Sequence, residues 1–203
     1  MRTLVIDTAT RACSVALFDD ESVVASYHEV IGRGHAERLL PLIADLPECG
    51  RAAQIVVNVG PGSFTGIRVG VAAARALGLA WGVPVSGYGC LTLVAAMARA
   101  VRPQAASVDA IMAGGHGEYF FQSFSRDGLA TCDAASLSLS MVEAKPHAQV
   151  VAGDVPALFS DRDTLDILPD AACWHLVAGL TPLAASPAYG RAPDAKLPKG
   201  MAA

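Results

Sequence analysis

Paired cysteines are missing from this chain. Its five cysteines, Cys13, Cys49, Cys90, Cys132 and Cys173, lie scattered and never form a Cys-x-x-Cys. That argues against a disulfide framework and a thiolate metal site, and it reads as a reduced, cytoplasmic protein. A basic excess is missing too: the net charge is −4, with eight basic and eight acidic residues in 1–100 and seven against eleven in 101–203. Such a chain is a poor nucleic-acid binder by itself, so any role on RNA calls for a more basic partner. The N-terminus opens on a strand, Leu4-Val5-Ile6, with no basic segment and apolar stretch of a signal peptide. The most apolar region, 69–101, is broken by Arg75, Pro84, Gly87, Gly89 and Arg99, which argues against a membrane span.

Several catalytic signatures are absent as well. No Gly-x-x-x-x-Gly-Lys-Ser/Thr occurs, so a P-loop is excluded. In Gly62-Ser63-Phe64-Thr65-Gly66 the serine stands one place too early for a Gly-x-Ser-x-Gly nucleophile elbow. His35 opens a helical pattern, yet position 39, where a second helical imidazole would stand, is Leu, and His28, His116, His147 and His175 show no ligand spacing with it. His35 reads as a helix-start or interface residue.

What is present is ample core material: 203 residues, 53% hydrophobic, enough for one medium domain or two small lobes. Residues 3–7, 13–18 and 22–28 read as an antiparallel meander of three strands. An amphipathic helix over 35–46 follows, with Leu39, Leu42, Ile43 and Leu46 on one face and Pro41 on the other. Then come a strand at 54–59, a helix at 65–81, a strand at 83–85 and a helix at 90–101, a mixed sheet with flanking helices. After Pro103 the pattern restarts and thins. Strands are expected at 106–112, 119–124 and 149–152, short helices at 155–160 and 170–180, a solvated acidic surface at 161–166, and a loop from Pro182 onward. The second half reads as a degenerate structural copy of the first, with lobes at 1–102 and 103–203.

Residues 60–81 organise the chain. A glycine-rich loop, Gly60 to Gly66, leaves an apolar strand and starts a helix, with Ser63 or Thr65 as cap. Its amides and the helix dipole suit an anion or a carbonyl oxygen, while a tight turn with a good cap explains the same residues. In the helix Gly66, Gly70, Ala74 and Gly78 stand four apart and form one nearly bare ridge. Glycine inside a helix costs roughly 1 kcal/mol against alanine, so close approach of a helix or a sheet is expected on that ridge. Arg68 and Arg75 share the opposite side, and the remaining surface is apolar nearly all round. The helix is therefore either covered by its own domain or meets a partner chain with the two arginines as polar contacts. In the latter case Gly70→Leu is expected to block pairing.

Asp7 ends the first strand, and Thr8 and Thr10 stand in the turn after it. A carboxylate beside two hydroxyls at a strand end suits a phosphate, or magnesium through water. Capping of the hairpin turn by Asp7 and Thr10 accounts for the same pattern. The candidate nucleotide or anion site is thus Asp7, Thr8, Thr10, Gly60, Gly62, Ser63 and Thr65.

Three stretches together resemble a known family. Met-Arg-Thr-Leu-Val-Ile-Asp-Thr-Ala-Thr-Arg-Ala-Cys-Ser-Val-Ala-Leu, Gly-Arg-Gly-His-Ala-Glu-Arg-Leu-Leu-Pro-Leu-Ile and Gly-Pro-Gly-Ser-Phe-Thr-Gly-Ile-Arg-Val-Gly are similar, in order, to the TsaB (YeaZ-like) family of tRNA threonylcarbamoyladenosine biosynthesis proteins. The likeness covers residues 1–95, with Ala192-Pro-Asp-Ala-Lys as a further echo. It implies an actin-like fold (ASKHA, ribonuclease H-like) of two lobes, the second degenerate. It also implies a non-catalytic scaffold or activator that pairs with a catalytic TsaD-like paralogue, with a TsaE-like ATPase joining and tRNA met only through the complex. Pairing through the first two helices puts His35, Leu39, Leu42, Gly66, Arg68, Gly70, Ala74 and Arg75 at that interface, with a homodimer through the same helices as the alternative. No cofactor is required on this reading, and ATP or ADP with magnesium enters through the complex. The chain departs from the family at Met112-Ala-Gly-Gly-His before Gly117-Glu-Tyr-Phe, where many members carry Asp-Ala-Arg-Arg, and in its short linker Pro47–Ala53. Two rival readings remain: a kinase-like or ATPase enzyme using Asp7 with the glycine loop, and a metallopeptidase, for which the lone His35 is poor support.

Overall fold

The computed structural model describes residues 1–115, 117–154, 159 and 161–190. The chain opens with strands β1 (Arg2–Asp7), β2 (Ala12–Asp19) and β3 (Ser22–Val30), then helix α1 (His35–Ala44) and a 3-10 turn at Pro47–Gly50. Strand β4 (Gln54–Asn58), helix α2 (Phe64–Trp81), β5 (Val85–Tyr88) and α3 (Cys90–Val101) complete the first half. The second half runs β6 (Ser107–Gly115), β7 (Glu118–Ser125), β8 (Ala135–Ser138), α4 (Leu139–Glu143), β9 (Val150–Gly153), β10 (Asp163–Asp166), a 3-10 turn at Ala171–Leu176 and β11 (Leu183–Ala184).

The two sheets share one topology. The first has the order β11-β5-β4-β1-β2-β3 and the second β10-β9-β6-β7-β8. In each, three strands form an antiparallel meander and two later strands add in parallel on the other side of the first strand. The second copy is the shorter: α4 has 5 residues where α1 has 10.

Period-two alternation sorts the first sheet's side chains onto two buried faces. Leu4, Ile6, Val15, Leu17, Ile55 and Val57 meet α1 and α2, in a cluster that continues through α3 into Val108, Phe120, Phe124 and Val150 of the second sheet. Val5, Ala16, Phe18 and Val56 face the other way, toward Leu93 of α3 and the turn at Ala171–Leu176. Phe18 meets Trp174 edge-on, with centroids 5.5 Å apart. A smaller cluster, Ile111, Phe121, Leu137, Val142 and Val151, backs the far side of the second sheet.

Four expectations change. The strand foreseen at 83–85 is Val85–Tyr88, because Val83 and Pro84 complete the turn after Gly82, whose φ of 68° ends α2. The acidic segment includes an edge strand, Asp163–Asp166, paired in parallel with β9; its pairing partner, not its own composition, makes it a strand. The helix foreseen over 170–180 is a 3-10 turn, capped by the Asp170 side chain accepting from the Ala172 amide. The tail is not all loop, since Leu183 and Ala184 pair antiparallel with Gly87 and Ser86. The helix expected at 155–160 lies outside the described residues save Phe159, as do His116 and the Ala192–Lys196 echo. Among the described residues no helix is long and apolar enough to cross a membrane.

Candidate functional site

Asp7, Asn58 and Tyr88 are the last residues of three neighbouring parallel strands, β1, β4 and β5. Ligand crevices in open α/β sheets lie at this end. Here the strand ends bond to one another. Asp7 Oδ2 accepts from Asn58 Nδ2 at 2.6 Å and from the Tyr88 hydroxyl at 2.8 Å, while Oδ1 accepts from the Ala9 amide at 3.1 Å. The carboxylate is 1% exposed. Burial pushes its pKa up to about 6 against the opposing pull of the bonds from Asn58, Ala9 and Tyr88. Burial and then the Asp7 carboxylate raise the Tyr88 hydroxyl well above its ordinary value, and burial, with Asp7 after it, takes Cys13 to about 11.

The two stretches singled out by sequence do meet, and they meet as a lock. Thr8 Oγ1 donates to the Gly66 carbonyl at 2.7 Å, and the Ser63 amide donates to the Ala9 carbonyl at 2.7 Å. Ser63 Oγ caps α2 by accepting from the Gly66 amide at 3.2 Å, and Thr10 Oγ1 accepts from the Ala12 amide. Gly60 is held from both sides, its amide donating to Asn58 Oδ1 and its carbonyl accepting from the Cys90 amide, each at 2.8 Å. A Cβ on Gly62 would overlap the Ala9 carbonyl, so glycine here serves close backbone approach. Of the candidate anion set, Asp7, Thr8, Thr10, Gly60, Gly62 and Ser63 are thus engaged internally, and Thr65 is exposed. Turn capping, the second explanation offered by the sequence, describes the bonds from the Ala9 amide to Asp7 and from the Ala12 amide to Thr10, while Asn58 and Tyr88 reach Asp7 from other strands.

The candidate interface set divides in two. Gly66, Gly70 and Ala74 are buried inside this chain: Cβ atoms on Gly66 and Gly70 would overlap the Thr8 carbonyl and the Thr8 hydroxyl, and Ala74 is 0% exposed. The ridge's close neighbour is the chain's own sheet, which corrects its assignment to a partner contact. Leu39 and Leu42 face the core at 1% and 0% exposure, so they too leave the interface set. His35 is buried with Nε2 3.1 Å from the Ala12 carbonyl, where it donates, so it anchors the start of α1 to β2. Arg68 and Arg75 point outward, opposite the ridge. Beside them the exposed surfaces of α1 and α2 carry Leu40, Pro41, Ala44, Ala72, Ala76 and Leu79.

Sequence reading missed Asn58 and Tyr88. The signal was available for the first, since an asparagine that ends the apolar run Ile55-Val56-Val57 in a strand parallel to β1 stands beside Asp7. Among the described residues no group of three His, Cys, Asp or Glu side chains is placed to hold a metal ion.

Two tandem sheets of one strand order define an actin-like chain of the ribonuclease H-like kind, with Asp7 at its strand ends bonded by the chain's own Asn58 and Tyr88. The family model for TsaD, tRNA N6-adenosine threonylcarbamoyltransferase, matches residues 22–148. The tRNA threonylcarbamoyladenosine biosynthesis protein TsaB of Escherichia coli (strain K12) is 37% identical over 135 residues, 63% of this chain and 56% of that protein. TsaB of Bacillus subtilis (strain 168) is 36% identical over 104 residues, 49% of this chain and 45% of that protein. The match thus spans about half the length of these curated relatives. YeaZ from Pseudomonas aeruginosa superposes with a TM-score of 0.78 at 30% identity, covering 93% of this chain and 99% of that one. The chain belongs to the TsaB (YeaZ-like) family, within the wider group whose model is named for TsaD.

Proposed function

We propose that this chain takes part in tRNA threonylcarbamoyladenosine formation as a non-catalytic subunit that pairs with a TsaD-like paralogue through the outer faces of α1 and α2. The single observation behind it is the division of those helices. Their bare ridge and Leu39 and Leu42 are spent on the chain's own core, while the outer side shows small and apolar residues, Leu40 and Leu79 among them, beside Arg68 and Arg75 with no acidic residue anywhere in α2. An apolar surface of that kind with two cations suits a protein partner carrying carboxylates.

The closed strand end supports the non-catalytic half of this reading. Asp7 already accepts from three donors and is 1% exposed, so it presents almost no surface to a nucleotide-bound magnesium ion. That weighs against the kinase-like alternative. The metallopeptidase alternative is weaker still, since His35 spends Nε2 on a backbone carbonyl and Leu39 is core. A TsaE-like ATPase and tRNA join through the complex on this reading, and the chain works in the cytoplasm.

The test is a titration of the isolated chain with the TsaD-like protein of its own organism. Saturable one-to-one binding that is weakened at least ~10-fold by Ala72→Glu, with the thermal midpoint unchanged, is the expected result. Equal binding by the variant removes the outer face from the account.

A further inference from the structure

Residues 183–190 return from the second half and cross the first. Leu183 and Ala184 extend the first sheet beside β5, the Ala188 amide donates to the Val59 carbonyl at 2.7 Å, and Gly190 lies where a Cβ would press on Phe120 and Pro61. Between these anchors the segment delivers Tyr189 to the start of α2. Its hydroxyl accepts from Arg68 Nε at 2.8 Å, and its ring lies 5.1 Å from that of Phe64. The Arg68 guanidinium carbon sits 3.7 Å from the centroid of the Phe64 ring. Arg68 is therefore held on two sides although it is exposed.

The way it is held leaves a particular shape free. The bond to Tyr189 uses Nε, so both Nη groups keep their donors, and among the described residues no carboxylate pairs with Arg68. An arginine normally loses rotamer freedom when it binds, and one already stacked and bonded loses less. A fixed guanidinium presenting two Nη groups matches a carboxylate in bidentate geometry.

We propose that Tyr189 is a positioning residue: the 183–190 strap uses it to preset Arg68 as a fork for a carboxylate on the partner protein's docking face. This rests on the pairing reading, since Arg68 lies on the outer side of α2. A protein carboxylate is favoured over an RNA phosphate because the surrounding exposed surface is apolar and small and the whole chain carries −4. The strap thereby links the second half of the chain to docking on the first.

The experiment is a double-mutant cycle by isothermal titration against the TsaD-like protein, with wild type, Tyr189→Phe, Arg68→Ala and the double variant. Tyr189→Phe keeps the ring against Phe64 and removes the acceptor. It is expected to weaken binding ~3–10-fold, a single hydrogen bond's worth, without moving the thermal midpoint. The double variant should bind no more weakly than Arg68→Ala, because without the guanidinium there is nothing left to position. A Tyr189→Phe protein at wild-type affinity, or two effects that multiply, overturns the proposal while leaving pairing intact. No binding by wild type overturns the pairing reading and this inference with it. Unchanged pairing together with reduced capture of labelled tRNA by the Arg68→Ala complex overturns the carboxylate in favour of a phosphate.

Discussion

Asp7 is a carboxylate with no cation beside it among the described residues, solvated instead by an amide side chain, a phenol and one backbone N–H. Its pKa of about 6 in the folded chain lies above the ordinary aspartate value. The sign of its effect follows. Below about pH 4 the acid is neutral in both folded and unfolded chains; between there and pH 6 the unfolded chain loses its proton freely while the folded chain resists. Stability from this group is therefore present at low pH and falls as pH rises through 6, by an amount on the order of 3 kcal/mol in the limit. Urea unfolding of wild type and Asp7→Asn across pH 4–7 should show a slope in the difference between them; parallel curves would contradict the assignment. Tyr88→Phe removes one of the three donors and should cost about 1–2 kcal/mol in the same assay at pH 7.

Helix α2 shows how an element can be read correctly in its pattern and wrongly in its use. The bare ridge of Gly66, Gly70, Ala74 and Gly78 does mark a close approach, but the surface approached is the Thr8 turn and the sheet beneath. Gly70→Ala should then cost about 1–3 kcal/mol of folding stability, since the new methyl meets Thr8 Oγ1 where it donates to Gly66. Gly70→Leu is expected to unfold the first half before it can report on pairing. Ala72→Gln, one face round on the exposed side, should change the urea midpoint by less than ~0.5 kcal/mol equivalent. Local pattern was enough for β1, β2, β3, α1 and α2, where alternation or the 3.6-residue period runs for five residues or more. It was not enough for β8, β10 and β11, whose two to four residues become strands only through their pairing partners, which for β11 is a strand far back in the chain. The same distance hid the site: Asp7 meets Asn58 and Tyr88 across 51 and 81 residues, and Arg68 meets Tyr189 across 121.

On the scale of the whole molecule, two copies of one sheet topology share a continuous core through α3, yet they differ in what they leave open. The first copy closes its strand ends with its own side chains and turns two helices outward. The second trims its helix and contributes the strap that reaches back over the first. On the proposed reading, a chain built this way holds a partner in register while the partner performs the chemistry. The acidic balance adds an expectation: alone, the protein should show no saturable tRNA binding at 0.15 M salt in a filter assay, whereas the assembled complex should. The most direct measurement is reconstitution of threonylcarbamoyl transfer to tRNA from this chain with the TsaD-like and TsaE-like proteins of its organism, leaving out one component at a time. The account predicts that omitting this chain abolishes modification and that the isolated chain turns over no ATP. Full modification in its absence, together with ATP hydrolysis by the chain alone, would contradict it.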